Sequence, residues 1–519
     1  MEVAAASMAA GLCCAGACAL ALYLYHVLWV APERVRAALR GQGVGGPRPS
    51  FPYGNRHEMR QLMSDAAAAS LRGGGGGIVH DYRSALFPHY ERWRNEYGPI
   101  FTYSIGNMVF LHASRADVVR DLGLCVSPSD LGKSSYMKVT HRPLFGDGIL
   151  KSSGEAWAYQ RRLIAPEFFP DKVRGMVDLM VASATALVAA WEDRMLSDDN
   201  RGGGGGLELK IDDDIRAYSA DVISRTCFGS SYVKGKEIFA LIRELQKTVS
   251  SKQPNLVAEM TGLSLRTNRA AWRLNRQVRS LILGVERESG DGDRNLLKAM
   301  LRSAASSGGG AVAAEDLIVD NCKNIYFAGY ETTAVTAAWC MMLLALHPEW
   351  QARVRDEVRQ ACAGAPDFTP SLQKMKKLAM VIQETLRLYP AGSVVSRQAL
   401  RGVTLGGVRV PAGVNIYVPV STVHLDPALW GADAREFRPE RFAAAPPPHA
   451  YLPFGAGART CLGQGFAMAE LKVLLALVLS RFHLSLSPTY VHSPALRLIV
   501  EPEHGVRLQL RSVVEPGRR

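Results

Sequence analysis

The sequence predicts a mainly α-helical body patched with small β-sheets, an α+β arrangement, preceded by an N-terminal transmembrane helix. Three observations predict it. Helix-length runs occupy most of the 519 residues. The β-prone runs are few and short, and they do not alternate with the helices, which excludes a doubly wound α/β sheet. One apolar run without Asp, Glu, Lys or Arg lies close to the N-terminus. Hydrophobic residues make up 48% of the chain and charged residues 21%, enough apolar material for a large core.

The elements follow in order. Met8 to Ala31 is the apolar run, and about 20 such residues span a bilayer. Glu2 precedes it and Arg34, Arg36 and Arg40 follow, so the positive-inside rule puts its C-terminal side in the cytosol. A cleaved signal peptide would need a basic start and a shorter apolar stretch. Residues 1–31 are therefore expected to be an uncleaved anchor, 32–55 a basic, proline-rich hinge stiffened by Pro47, Pro49 and Pro52, and 56–519 a single catalytic domain. Helices are expected over Asp171–Leu196, Asp212–Phe228, Ser264–Arg287, Glu315–Leu346, Pro348–Ala361 and Leu372–Tyr389, and strands within Ile100–His112, Val403–Val410 and Val414–Val420. Glycine runs at 73–77, 202–206 and 308–310 read as surface loops; no G-K-[ST] follows any of them, which argues against phosphate binding. No repeat of fixed period is visible.

Composition narrows the function classes. The nine cysteines are odd in number and form no C-x-x-C pair, which argues against a disulfide framework or structural zinc. The formal net charge of +13 suits anionic lipid or an acidic protein partner. A nucleic-acid partner is not expected, because no basic stripe with interleaved aromatics appears.

Four motifs carry chemistry. Trp157-Ala158-Tyr159-Gln160-Arg161 sets an indole N–H and a guanidinium at i and i+4, both able to donate to a carboxylate. Ala328-Gly329-Tyr330-Glu331-Thr332-Thr333 lies inside a helix about 48 Å long and almost apolar after Thr333. A glycine beside threonines there can open a groove, and an acid next to an alcohol can relay protons; the alternative is threonines bonded to their own helix and Glu331 in an ion pair. Glu384-Thr385-Leu386-Arg387 places an acid and a base on one helical face, which by itself would be a weak surface pair. Phe454-Gly455-Ala456-Gly457-Ala458-Arg459-Thr460-Cys461-Leu462-Gly463 puts one cysteine in a glycine-rich loop. Backbone N–H groups there can stabilise a thiolate, the glycines permit close approach to a flat macrocycle, and Arg459 can pair with an acidic edge group.

The cysteine loop resembles the haem-ligand loop of the cytochrome P-450 family, and all four motifs match that family in order and spacing, from roughly Gly98 to the C-terminus. The resemblance implies the P-450 fold with a long helix over a buried haem b, and an NADPH- and O2-dependent monooxygenase of the EC 1.14 class. It implies Cys461 as the iron ligand, Thr332 and Glu331 as the proton-delivering pair, and Trp157, Arg161, Arg397, Arg459, Phe454, Gly457, Gly463, Ala328 and Gly329 around the cofactor. It also implies a cluster of Glu384, Arg387 and Arg441, the last from Phe437-Arg438-Pro439-Glu440-Arg441-Phe442, holding the segment that carries the cysteine. Electrons would come from NADPH through a separate membrane-bound reductase, since the chain has no flavin or nicotinamide fingerprint. The anchor matches single-pass members of the endoplasmic reticulum membrane with a cytosolic catalytic domain.

Substrate contacts are expected from residues 127–150, 233–261, 321–328 and 391–395, with Leu144, Phe145, Ile149, Phe327, Val394 and Val395 beside the smaller Gly392 and Ser393, which suits a bulky apolar ligand. Pro49-Ser50-Phe51-Pro52-Tyr53-Gly54-Asn55 and Cys322-Lys323-Asn324-Ile325-Tyr326-Phe327-Ala328-Gly329 resemble a plant branch that oxidises gibberellins, most of all the gibberellin 13-oxidases. A diterpenoid acid would want a cation, for which Lys138, His141 and Arg142 are candidates. Other terpenoids, steroids, cytokinins or fatty acids stay open as substrates, as does an isomerase or dehydratase that needs no oxygen.

Overall fold

The computed structural model describes residues 2–72, 78–199, 206–229, 232–251, 269–288, 296, 300, 311–363 and 368–513. The glycine runs at 73–77, 202–205 and 308–310, and the expected substrate stretch at 252–261, lie outside them. The N-terminal helix α1 (Glu2–Tyr25) passes through a π-helical segment, His26–Val30, into α2 (Ala31–Arg40). The stretch Ser7–Arg40 is long and apolar enough to cross a membrane. Pro170–Asp198 meets the same length and composition test, but Val177, Met180, Ala184, Val188 and Trp191 there are buried in the core.

The expected hinge is docked onto the body. Thr102 N–H donates to the Gly45 carbonyl at 2.8 Å, Asn55 Oδ1 accepts from Ser104 N–H at 2.9 Å, and Arg36 Nη1 reaches Ser104 Oγ at 3.0 Å. Phe51 stacks edge-on against Trp29 at 5.8 Å. The chain leaving the N-terminal helix is thus fixed in direction by a strand of the body.

That strand, β1 (Ile100–Ile105), opens a five-stranded sheet with β2 (Met108–Ala113), β3 (Leu131–Gly132), β4 (Val394–Ala399) and β5 (Asn415–Pro419), in the order β1-β2-β5-β4-β3. Only β2 and β5 run parallel, with Leu111 opposite Ile416. The single expected run over 100–112 is a hairpin turning at Gly106, and 403–410 is a second hairpin. A separate antiparallel sheet joins Leu207–Lys210, Arg507–Ser512 and Phe482–Leu486.

Helices dominate the rest. Those that build the site are α3 (Gly154–Ile164), α4 (Asp212–Phe228), α5 (Tyr232–Ser251), α6 (Arg269–Glu288), α7 (Ala311–Leu346), α8 (Lys376–Leu388) and α9 (Gln464–Arg481). The expected helix over Leu372–Tyr389 breaks at Met375, and α9 was not anticipated. On α6, Ala271, Leu274, Val278 and Ile282 recur at helical spacing and are buried, the stripe that turns it onto the core. From Asn321 to Leu344, α7 is buried or nearly so on all sides, so it has no polar face and runs through the middle of the large core. That core gathers Trp339, Met341, Leu343, Leu474 and Val478, and a second apolar cluster with Leu111, Val118 and Ile416 fills the side of the main sheet.

Candidate active site

Residues far apart in sequence enclose a cavity of about 310 Å³. The long helix α7 supplies Asn324, Ile325, Ala328, Gly329, Thr332, Thr333 and Thr336. The cysteine loop supplies Phe454, Arg459, Cys461 and Gly463, and α3 supplies Trp157 and Arg161. Most other lining groups are apolar, among them Ile149, Leu150, Ile223, Leu386 and Leu471.

The cysteine loop is a tight turn. Cys461 N–H donates to the Phe454 carbonyl at 2.9 Å, and the Thr460 hydroxyl to the Gly457 carbonyl at 2.7 Å. Gly457 has φ 68°, and a Cβ there would stand 3.0 Å from Gly123 Cα, so only glycine fits without strain. The accessible surface of Cys461 opens into the cavity. Burial pushes its thiol pKa up, while the Gly463 N–H aimed at the sulfur and the charge of Arg161 pull it down.

Beside the cysteine lies a set of cations without an anion. Arg161 Nη1 donates to the Thr460 carbonyl at 3.0 Å, and Arg397 Nη2 to the Ala456 carbonyl at 3.2 Å. Arg459 lies over the Trp157 ring at 4.3 Å, and its buried Nη2 has no hydrogen-bond partner. Burial first, then the charges of Arg397 and Arg161, lower the Arg459 pKa to about 9. Burial lowers Arg397 to about 10. Lys133, also in the cavity wall, falls to about 7 through burial and the nearness of Arg397 and Arg459. No lining residue of the cavity is acidic. A dianionic group at this end would satisfy the orphaned guanidinium and relieve the mutual repulsion. A flat macrocycle with a metal above Cys461 and two carboxylates at its edge fits these residues.

The segment carrying the cysteine is held from below by a buried ion pair. Arg387 is fully buried on α8; its Nε and Nη2 donate to the two Glu384 oxygens at 2.7 and 2.8 Å. The same guanidinium donates to the carbonyls of His424, Ala434 and Glu436. Glu384 also accepts from Arg438 N–H at 2.8 Å and faces Arg441 Nε at 3.4 Å. The i,i+3 spacing thus makes a saturated interior cluster, not a solvated surface pair.

On α7 the expected pair separates. Thr332 lines the cavity and its hydroxyl donates to the Ala328 carbonyl at 2.7 Å, while Thr336 donates to the Thr332 carbonyl at 2.8 Å. The helix runs unbroken through this stretch, so the loosened ladder expected at Gly329 is replaced by side chains bonded along the helix. Glu331 is not in the lining. It points to α4 and α5, where Oε1 accepts from Arg243 at 2.5 Å and Arg216 at 3.3 Å and Oε2 is unpartnered. Arg397 and Gly457 also stand behind the lining, bracing the loop. Of the substrate-facing candidates, Ile149 and Gly392 line the cavity; Leu144, Phe145, Phe327, Val394, Val395, Lys138, His141 and Arg142 do not. His141 instead stacks on Phe145 at 6.0 Å in the core.

Asn324 lies in the expected 321–328 wall, whereas sequence reasoning singled out neither Lys133, within the expected 127–150 stretch, nor Glu470. Lys133 offers no local signal. Glu470 had one: an acid, with Lys472 two residues on, set in the mostly apolar run of α9. It is fully buried, accepts from Ser219 Oγ at 2.7 Å and bonds the cavity-lining Thr333, and burial raises its pKa to about 8.

Comparison with known proteins agrees with this geometry. Residues 77–509 match the family model for cytochrome P450. The chain belongs to the cytochrome P450 family. It is 70% identical over 515 residues to cytochrome P450 714B1 of Oryza sativa subsp. japonica, covering 96% of this chain and 95% of that one. It is 66% identical to cytochrome P450 714B3 of Zea mays, with 99% and 98% covered, and 42% identical to cytochrome P450 714A2 of Arabidopsis thaliana, with 94% and 95% covered. This P450 is accordingly a monooxygenase that takes haem b and receives NADPH-derived electrons from a reductase partner.

Proposed function

We propose that this P450 hydroxylates a gibberellin-precursor acid, at carbon 13 of its diterpenoid skeleton, on the cytosolic face of the endoplasmic reticulum membrane. The supporting observation is where the resembling residues sit. Asn324, Ile325, Ala328 and Gly329, from the α7 segment that resembles gibberellin oxidases, are themselves cavity wall. The similarity to that branch therefore falls on the surface a substrate would touch.

Bound haem activates dioxygen for insertion of one oxygen atom into a C–H bond. The protein's residues supply the rest. Cys461 is the thiolate ligand, and the Gly463 N–H and Arg161 favour its charged form. Trp157, Arg161 and Arg459, with Lys133 and with Arg397 from just behind the lining, would hold the carboxylate edge of the cofactor, and Phe454, Gly457 and Gly463 would shape the loop that carries its ligand. Ala328 would leave room beside the metal, and Gly329 lets α7 lie close against α4, where a Cβ would stand 2.6 Å from Ile223 Cδ1. The Thr332 hydroxyl holds a proton at the cavity surface. Glu331 stands behind it with its carboxylate paired to Arg243 and Arg216, and it would relay a proton only after those pairs open and it has taken one up from water. The apolar wall excludes water from the ring system of the substrate.

Microsomes containing this protein and its reductase, supplied with NADPH and oxygen, are expected to convert early gibberellin acids to 13-hydroxylated products seen by mass spectrometry. Absence of any hydroxylated product would remove the proposal.

A further inference from the structure

The cavity wall at Ile149 and Leu150 belongs to a loop, 145–151, with no regular hydrogen-bond ladder of its own. Besides turn bonds from Gly148 N–H to the Phe145 carbonyl and from Lys151 N–H to the Gly148 carbonyl, and one from Gln160 of α3 to the Asp147 carbonyl, its backbone N–H groups at 147, 149 and 150 are bonded to side chains of α7. Asp147 N–H donates to Asp320 Oδ2 at 2.7 Å, Ile149 N–H to Asn321 Oδ1 at 2.9 Å, and Leu150 N–H to Asn324 Oδ1 at 2.9 Å. Asn324 Nδ2 returns a bond to the Phe145 carbonyl at 2.8 Å. Asn321 and Asn324 are buried, so water does not compete for these bonds. Positions i, i+1 and i+4 of one helix thus grip three N–H groups of one loop.

The loop is built for close approach. Gly146 has φ 54° and faces the Asp320 carboxylate, where a Cβ would collide. A Cβ on Gly148 would stand 2.6 Å from Asn324 Nδ2 and 2.7 Å from the Asp320 carbonyl. Lys323 anchors the helix side of the clamp, joining Asp320 at 2.8 Å to Asn275 of α6 at 2.7 Å.

We propose that Asp320, Asn321 and Asn324 are positioning residues that set substrate selection, by fixing the backbone that presents Ile149 and Leu150 to the cavity. The proposal rests on this cavity being the substrate site, and it holds whichever apolar compound fills it. Releasing the clamp lets both side chains move, so the fit of a bulky ligand changes while that of a small one does not.

The test uses the full-chain holoenzyme and two iron-binding probes, imidazole and 4-phenylimidazole, so it is independent of the gibberellin reading. In Asn321→Ala, Asn324→Ala and Gly148→Ala, exchange of the 147, 149 and 150 amides should accelerate about tenfold or more. The ratio of the two Kd values should shift about fivefold in the same direction in each, with imidazole binding unchanged in Asn321→Ala and Gly148→Ala, whose altered positions do not line the cavity. Asp320→Asn, which keeps an acceptor for Asp147 N–H but gives up the charge paired with Lys323, should fall between wild type and Asp320→Ala. The Asn324→Ala, Gly148→Ala double variant should be no worse than either single one. Should Asn324→Ala fail to bind haem, Gly148→Ala, which leaves the helix unaltered, carries both readouts. Faster exchange with an unchanged Kd ratio, or unchanged exchange, overturns the proposal.

Discussion

Glu470 holds its proton up to a pH of about 8 because burial in the core disfavours its charge, whereas an unfolded glutamate releases it near 4.5. Between those values the folded chain binds more protons, so stability falls as pH rises through that window. Glu470→Gln removes the dependence. Its stability advantage over wild type should grow from near zero at pH 4.5 to about 3 kcal/mol at pH 7, read by denaturation across the range. A pH-independent difference would sink this reading. Arg459 gives a second expectation. Its unpartnered Nη2 waits for a carboxylate, so Arg459→Ala should raise the haem dissociation constant about tenfold while leaving the far-ultraviolet spectrum unchanged. At this scale the sequence was legible only locally. Cys461, Arg459 and Gly463 are neighbours in the chain, so their juxtaposition is written in it. Lys133 meets Arg397 and Arg459 only through folding, and no pattern around Lys133 announces it. The direction of Glu331 was equally hidden, since it depends on Arg216 and Arg243 arriving from α4 and α5.

The helix α8 shows what an element-level motif can carry. E-x-x-R is common on solvated faces, yet here Glu384 and Arg387 are both fully buried and every nitrogen of the guanidinium is used. Its companion, the Phe437–Phe442 stretch, is what separated the two readings in sequence. Breaking a buried pair costs about 3–5 kcal/mol because the partner charge is left unpaired. Glu384→Ala and Arg387→Ala should therefore yield little haem-bound protein, judged by the reduced carbon monoxide band. Arg387→Lys should not rescue it, since an ammonium cannot bond a carboxylate and three carbonyls in one plane. Normal haem content in these variants would refute the role. The strands were read as single β-prone runs, although the two-residue turns Gly106-Asn107 and Gly406-Gly407 within them are signals that split each run into a hairpin.

For the molecule as a whole, the helical body with small sheets, the long central helix and the apolar N-terminal helix follow the expectations from sequence. The proline-rich segment differs in character: Thr102 and Ser104 of β1 hold it, so it is part of the body's edge. Deleting residues 1–25 should release the protein from carbonate-washed membranes without lowering the thermal midpoint of the haem domain by more than a few degrees, since α1 is exposed along its described length. A large fall in that midpoint would show that the segment stabilises the body. The gathering of Lys133, Arg161 and Arg459 in a wall whose described residues include no acid, with Arg397 close behind, has a consequence for supply. Before haem arrives these charges repel one another, so the pocket opposes its own closure and the cofactor is a partner in folding. In a growing cell the amount of this enzyme would then follow haem synthesis as well as transcription, and protein that outran its haem would be first to the proteases.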